Sequence, residues 1–128
     1  MPQSSRWLPT PADKDYAAAA RFLRLLMPDA AASSLAEALR HGALTRQRAN
    51  DLLRAAGLPL LPPTDTEVAK DLKKLKKGTP LSPVLIVRGD LKNARDLTVA
   101  DGYHRICASY HVDPDVEVPC QTVDLPVD

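Results

Sequence analysis

The stretch Leu97-Thr98-Val99-Ala100-Asp101-Gly102-Tyr103-His104-Arg105-Ile106-Cys107-Ala108 decides the reading of this chain. Apolar alternation over Leu97–Ala100 predicts a strand, Asp101-Gly102 breaks it, and a helical pattern opens at His104. A helix start presents backbone N–H groups without partners in the helix, and it carries partial positive charge. A strand that ends in glycine and hands over to such a helix is a natural seat for a phosphate. His104 and Arg105 add side-chain donors at that point. Gly102 supplies a φ that a side chain would hinder, or lets a ligand approach closely. Asp101 is read as a metal ligand, as a group orienting the histidine, or as a helix N-cap. Tyr103 either lines the pocket and stacks on a base, or covers the turn. The competing reading is that Arg105 pairs with Asp101 and His104 caps locally. Asp101, Gly102, Tyr103, His104 and Arg105 are therefore the candidate phosphate- or nucleotide-binding residues, and no catalytic residue is singled out.

Outward from this stretch, the elements become legible one by one. After Pro83, Val84-Leu85-Ile86-Val87 reads as a short apolar strand, and Gly89–Asp96 as the polar loop of a hairpin. Before it, Thr64 and Glu67 fit a capping box for a helix that stops at Gly78. Val68, Leu72 and Leu75 form its buried stripe; Lys70, Lys73, Lys74, Lys76 and Lys77 read as a solvated face, or less simply as a nucleic-acid patch. Asp113-Pro114-Asp115 turns the chain into a last strand over Val116–Val123. The order over this half is helix, strand, strand, helix, strand.

The first half reads as helical. Residues 1–12 hold three prolines and form an arm that Trp7 and Leu8 pin to the body. A helix is expected over Asp13–Met27, ended by Pro28; a second from Ser34, with Glu37 completing a capping box, to Gly42; a third from Thr45 to Gly57. Arg46, Gln47, Arg48 and Asn50 follow the short Gly42–Leu44 turn, a pattern similar to a helix-turn-helix reader of DNA. The competing reading is a helical subdomain packed on the sheet. Leu58–Pro63 is too rich in proline for a helix and too apolar for a loose linker. It is expected as an extended packed segment or edge strand, and as the boundary between the parts. The division is 1–57, arm and helical segment, and 58–128, the sheet-bearing domain.

Composition narrows the classes. At 128 residues the chain fits one domain, and 45% apolar residues suffice for a core built mostly of Leu, Val, Ala and Ile. A net charge of +1 creates no global field toward nucleic acid or membrane. No apolar run reaches membrane-span length, and no signal peptide opens the sequence. Cys107 and Cys120 make no disulfide framework and read as small core hydrophobes, so a cytoplasmic protein with reduced thiols is expected. His111 lies seven residues beyond His104, too far for a usual metal pair, and no metal site is expected.

Residues from about 64 to 124 resemble the ParB/sulfiredoxin-like superfamily. The likeness rests on a helix before Leu81-Ser82-Pro83-Val84-Leu85-Ile86-Val87, then Val99-Ala100-Asp101-Gly102-Tyr103-His104-Arg105, a helix containing Ala108, and Val118-Pro119. The chain as a whole is similar to a small group of bacterial proteins with this domain. The resemblance implies an α+β fold with a small mixed sheet, preceded here by the helical segment. It also implies that the Gly-x-His-Arg box meets nucleotide phosphates, with ATP, ADP or CTP and Mg²⁺ as candidate ligands and phosphoryl transfer to a small molecule as a candidate activity. Sulfiredoxins carry a reactive cysteine where this sequence has Tyr103, so their chemistry is not expected. Partition-type ParB proteins continue into a helix-turn-helix domain where this chain stops, so their DNA clamp is not expected either. The form of the box is closest to the kinase-like members. Asp65 and Glu67 are available as acids for a catalytic base, and no motif chooses between them. The alternative is a non-catalytic module that contacts DNA or a protein through the helical segment.

Overall fold

The computed structural model describes residues 7–125. The first six residues of the expected arm and residues 126–128 lie outside them. Among the described residues the fold is α+β, with five α-helices and one four-stranded mixed sheet. The helices are α1 (Asp13–Leu23), α2 (Asp29–Arg40), α3 (Ala49–Ala56), α4 (Thr66–Lys77) and α5 (Tyr103–Val112). The strands are β1 (Ala43–Arg48), β2 (Val84–Val87), β3 (Thr98–Asp101) and β4 (Glu117–Val123), in the order β1-β4-β2-β3. β4 is antiparallel to β1 and parallel to β2, and β2 is antiparallel to β3. None of the helices is long and apolar enough to cross a membrane.

Helices cover both faces of the sheet. Side chains alternate along a strand, so Val84 and Ile86 join one core while Leu85 and Val87 join the other. The first core takes Leu52 and Leu53 of α3, Val68 and Leu75 of α4, Ile106 of α5, and Val118 and Cys120 of β4. The second takes Tyr16, Ala19 and Leu23 of α1, and Ala32, Leu35 and Leu39 of α2. Burial on both faces is why β2 reads as an unbroken apolar run. Trp7 is buried and bridges to Leu81, and the Leu8 N–H donates to the Leu81 carbonyl at 2.7 Å, so this part of the arm is fixed as expected.

Several expectations need correction. Residues 43–48 form β1, not the opening of a helix, and α3 begins only at Ala49. β4 needs a partner on its outer side, and that pairing, from Ala43↔Thr122 to Arg48↔Glu117, outweighs local propensity. The helix-turn-helix reading falls with it. The sheet therefore draws a strand from within residues 1–57, and a boundary after residue 57 cuts across it. α2 starts after Pro28, six residues before Ser34, which lies mid-helix. The cap of α4 is Asp65, not Thr64: its carboxylate accepts from the Glu67 and Val68 N–H groups, both at 3.1 Å. α1 ends at Leu23, and tighter turns carry the chain to Pro28. Leu58–Pro63 forms no strand, although Leu58 and Leu61 do pack on the first core.

Candidate functional site

β3 ends at Asp101 and α5 starts at Tyr103, leaving Gly102 as the hinge and N-cap between them. Its φ of +113° is open mainly to glycine. A Cβ there would sit 2.4 Å from Val84 Cγ1 and 2.9 Å from Arg105 Nη2, so packing requires glycine as well. No side chain caps α5. The first N–H of the helix to find an acceptor within it is that of Ile106, bonded to the Gly102 carbonyl at 3.0 Å. The N–H groups before it therefore face outward, as at any helix start.

Beside this helix start lies a groove of about 500 Å³ between α1, β3 and α5. Asp101, Gly102, Tyr103 and His104 line it on one side; Ala18, Arg21, Phe22 and Leu25 of α1 line the other, with Leu58 and Val99 between. Phe22 is 41% exposed and Leu25 81%, so this helix presents apolar surface to the groove and to solvent. Arg21 is exposed and makes no ion pair among the described residues.

Arg105 is not on the groove. Its guanidinium turns inward, with Nη2 2.8 Å from Asp101 Oδ2 and Nη1 3.7 Å from Asp15 Oδ1. Asp15 is only 4% exposed, and its carboxylate also accepts from the Ala12 N–H at 2.9 Å. One cation thus ties α1, β3 and α5 together between two carboxylates, and its Nε is buried without a hydrogen-bond partner. Burial raises the Asp101 carboxyl above its ordinary range, the Arg105 charge opposes this, and the neighbouring Asp15 carboxyl reinforces it. Of the two sequence readings, the pairing of Arg105 with Asp101 is the one the geometry displays.

His104 is half-exposed, and its Nε2 lies 4.0 Å from Asp65 Oδ2. Asp71 of α4 also lies close enough to feel His104, Arg105 and Lys74. Burial nonetheless raises its carboxyl above the ordinary range, since desolvation outweighs those cations. Tyr103 gives its hydroxyl to the Pro59 carbonyl at 2.5 Å, so it holds the Leu58–Pro63 segment and also borders the groove. His111 Nε2 bonds the Leu61 carbonyl at 2.8 Å, and Cys107, between them, lies against the Leu61 backbone. Tyr103, Cys107 and His111 are spaced four apart on one face of α5, and that face clips the proline-rich segment in place. Both cysteines are free and buried; burial raises the Cys107 thiol and pushes that of Cys120 up to about 12.

Sequence reasoning missed Asp15, Arg21, Phe22 and Asp71. Asp15 and Arg21 carried no signal beyond their places in an alanine-rich helix. Phe22 falls by helical spacing on the apolar side of α1, yet it is exposed. Asp71 was legible only as an acid among lysines on the otherwise basic face of α4. Asp65 caps its helix, and Glu67 lies 3.7 Å from Lys70. No cluster of three or more metal-ligating side chains occurs among the described residues. No protein-family model, curated protein or solved structure matches the chain.

Proposed function

We propose that this protein binds a phosphate-bearing small molecule, with nucleotides among the candidates, by seating the phosphate on the N-terminus of α5. The observation that carries the reading is a helix start with no side-chain cap, beside a groove of about 500 Å³ flanked by His104 and Arg21. Backbone N–H groups and the positive end of the helix favour an anion there, and both side chains add donors. The volume falls within the range usual for small-molecule sites. In this reading Arg105 is a positioning residue. It orients the strand-to-helix turn through Asp101 and Asp15, while His104, Arg21 and the backbone meet the ligand.

The run α4, β2, β3, α5, β4 supports the ParB/sulfiredoxin-like assignment, as does the placement of Asp101–Arg105 at a strand-to-helix junction. A cytoplasmic setting with reduced Cys107 and Cys120 belongs to the same proposal. The described carboxylates build no Mg²⁺ cage, and Asp101 already serves Arg105, so Mg²⁺ would enter only with the phosphates it accompanies.

Thermal unfolding tests the site. The panel is inorganic phosphate, pyrophosphate, AMP, ADP, ATP and CTP. A ligand at ~100 times its dissociation constant adds roughly 2.7 kcal/mol, worth several degrees in a chain of this size. At least one compound is expected to raise the midpoint, and Arg21→Ala and His104→Ala should each reduce the shift. No shift at millimolar concentration for any of them ends the proposal.

A further inference from the structure

We infer that Leu58–Pro63 is a preformed polyproline II ligand, displayed for a partner protein whose groove is lined by aromatic side chains and rimmed by acids. The inference does not depend on the anion site.

The residues themselves impose the conformation. Pro59, Pro62 and Pro63 each have φ fixed at about −65°. Leu58, Leu61 and Pro62 each precede a proline, which drives them to extended or polyproline II backbone. Only Leu60 escapes both rules. A polyproline II helix has three residues per turn, so positions 58 and 61, 59 and 62, and 60 and 63 form three ridges. Burial follows that period: Leu58 and Leu61 are half-buried, and Pro59, Leu60, Pro62 and Pro63 are exposed. The stretch ends in a turn in which the Asp65 N–H donates to the Pro62 carbonyl at 3.0 Å.

One ridge is thus spent on the fold and two are offered to solvent. Leu58 and Leu61 pack on the first core, and α5 holds the backbone, through the Tyr103 hydroxyl on the Pro59 carbonyl and His111 Nε2 on the Leu61 carbonyl. Outward stands the pattern Pro59-Leu60-Leu61-Pro62, with Leu60 40% exposed. Among the described residues the Leu60 carbonyl has no hydrogen-bond partner, so a partner's donor can reach it. Grooves that read such segments take proline-bearing ridges between aromatic rings, and a ligand already held in shape loses little entropy on binding.

The surroundings select the charge of the partner. At the Pro63 end lies a hollow of about 410 Å³ lined by Pro63, Leu72, Leu75, Lys76, His111 and Val112. Lys73, Lys76 and Lys77 of α4 are exposed and make no ion pair among the described residues. The acids at the start of that helix are engaged: Asp65 accepts from two N–H groups, and Glu67 lies 3.7 Å from Lys70. An acidic groove rim therefore meets free lysines beside the displayed prolines, which favours encounter with such a partner.

Calorimetric titration of the full chain against a panel of purified SH3 and WW domains tests the proposal. At least one domain with an acidic rim is expected to bind one to one, and a free proline-rich peptide should compete. Pro62→Ala and Leu60→Asp should each weaken binding by about tenfold, as loss of an anchor does. Lys76→Glu should weaken it several-fold and reduce its dependence on salt. Circular dichroism checks that each variant is folded; Leu60→Asp changes an exposed side chain and carries the test should Pro62→Ala fail to fold. Binding by none of the domains, or binding that survives Leu60→Asp, overturns the proposal. So does self-association in sedimentation that Leu60→Asp abolishes, since the exposed ridges would then belong to a second copy of the chain.

Discussion

Under α3, α4 and α5, the sheet meets Leu52, Val68 and Ile106 in an almost wholly apolar contact. Under α1 and α2, the apolar contact is interrupted by polar ties. Tyr16 gives its hydroxyl to the Gln121 side chain, whose amide in turn reaches the Arg40 and Gly42 carbonyls. Arg40 stacks over the Tyr16 ring at 4.3 Å, and Arg105 joins Asp15 to Asp101. Apolar packing is non-directional, so it holds a layer without fixing its angle. Hydrogen bonds and ion pairs are directional, and here they fix how α1 lies against β3. The groove lies between those two elements, so the polar face of the fold sets the geometry of the candidate site.

The comparison breaks most visibly at Arg105. Arg105→Ala leaves the buried Asp15 and the partly buried Asp101 without their cation, and a loss of about 3 kcal/mol is expected in denaturant unfolding. An effect below 1 kcal/mol would show that the tie is not structural. On the apolar face, Leu52→Ala is expected to cost about 2–5 kcal/mol through a cavity. The affinity of the folded protein for its ligand should be unchanged, which calorimetry at low temperature checks. Tyr16→Phe removes one directional tie and leaves the Gln121 oxygen without its donor, a cost of about 1–3 kcal/mol in the same unfolding assay.

A smaller effect concerns pH. Burial raises the Asp71 and Asp101 carboxyls, so the folded chain holds their protons more tightly than the unfolded chain does. Each therefore costs stability as pH climbs from the ordinary carboxylate range, about 4, through its raised value; above that the cost is constant. Asp71→Asn is expected to raise the melting temperature at pH 8 and to leave it nearly unchanged at pH 4. Equal shifts at both pH values would remove the charge explanation. Smallest of all, Arg21→Ala should alter unfolding by no more than about 0.5 kcal/mol, as an exposed side chain with no ion pair. Its whole effect should be on ligand.

What was readable in the sequence follows the same division. β2, β3, α4, α5 and β4 were legible because periodicity and glycine or proline stops agree with their burial. β1 was not, because all six of its residues are exposed and the edge pairing leaves no apolar alternation. The glycine turn at Gly102 was legible from the motif alone. The role of Arg105 was not, since its outcome depends on Asp15, ninety residues earlier in the chain. A three-dimensional tie between helices leaves no local pattern, and neither does the apolar rim that Phe22 and Leu25 give the groove.

β4 also governs the order in which this fold can assemble. Among the described residues it is the strand that joins β1 to β2, and its Thr122 pairs with Ala43. As the chain is synthesised, β1 and the hairpin of β2 and β3 have no sheet in common until residues 117–123 have emerged. Pairing across so long a separation requires closure of a long loop before any contact rewards it, which slows folding. The exposed edge of β1 and the apolar faces of α1 and α2 must wait through that interval. Cooperative folding of the whole unit, triggered by its last strand, is the kinetic signature to expect, with chains halted before residue 117 prone to aggregate.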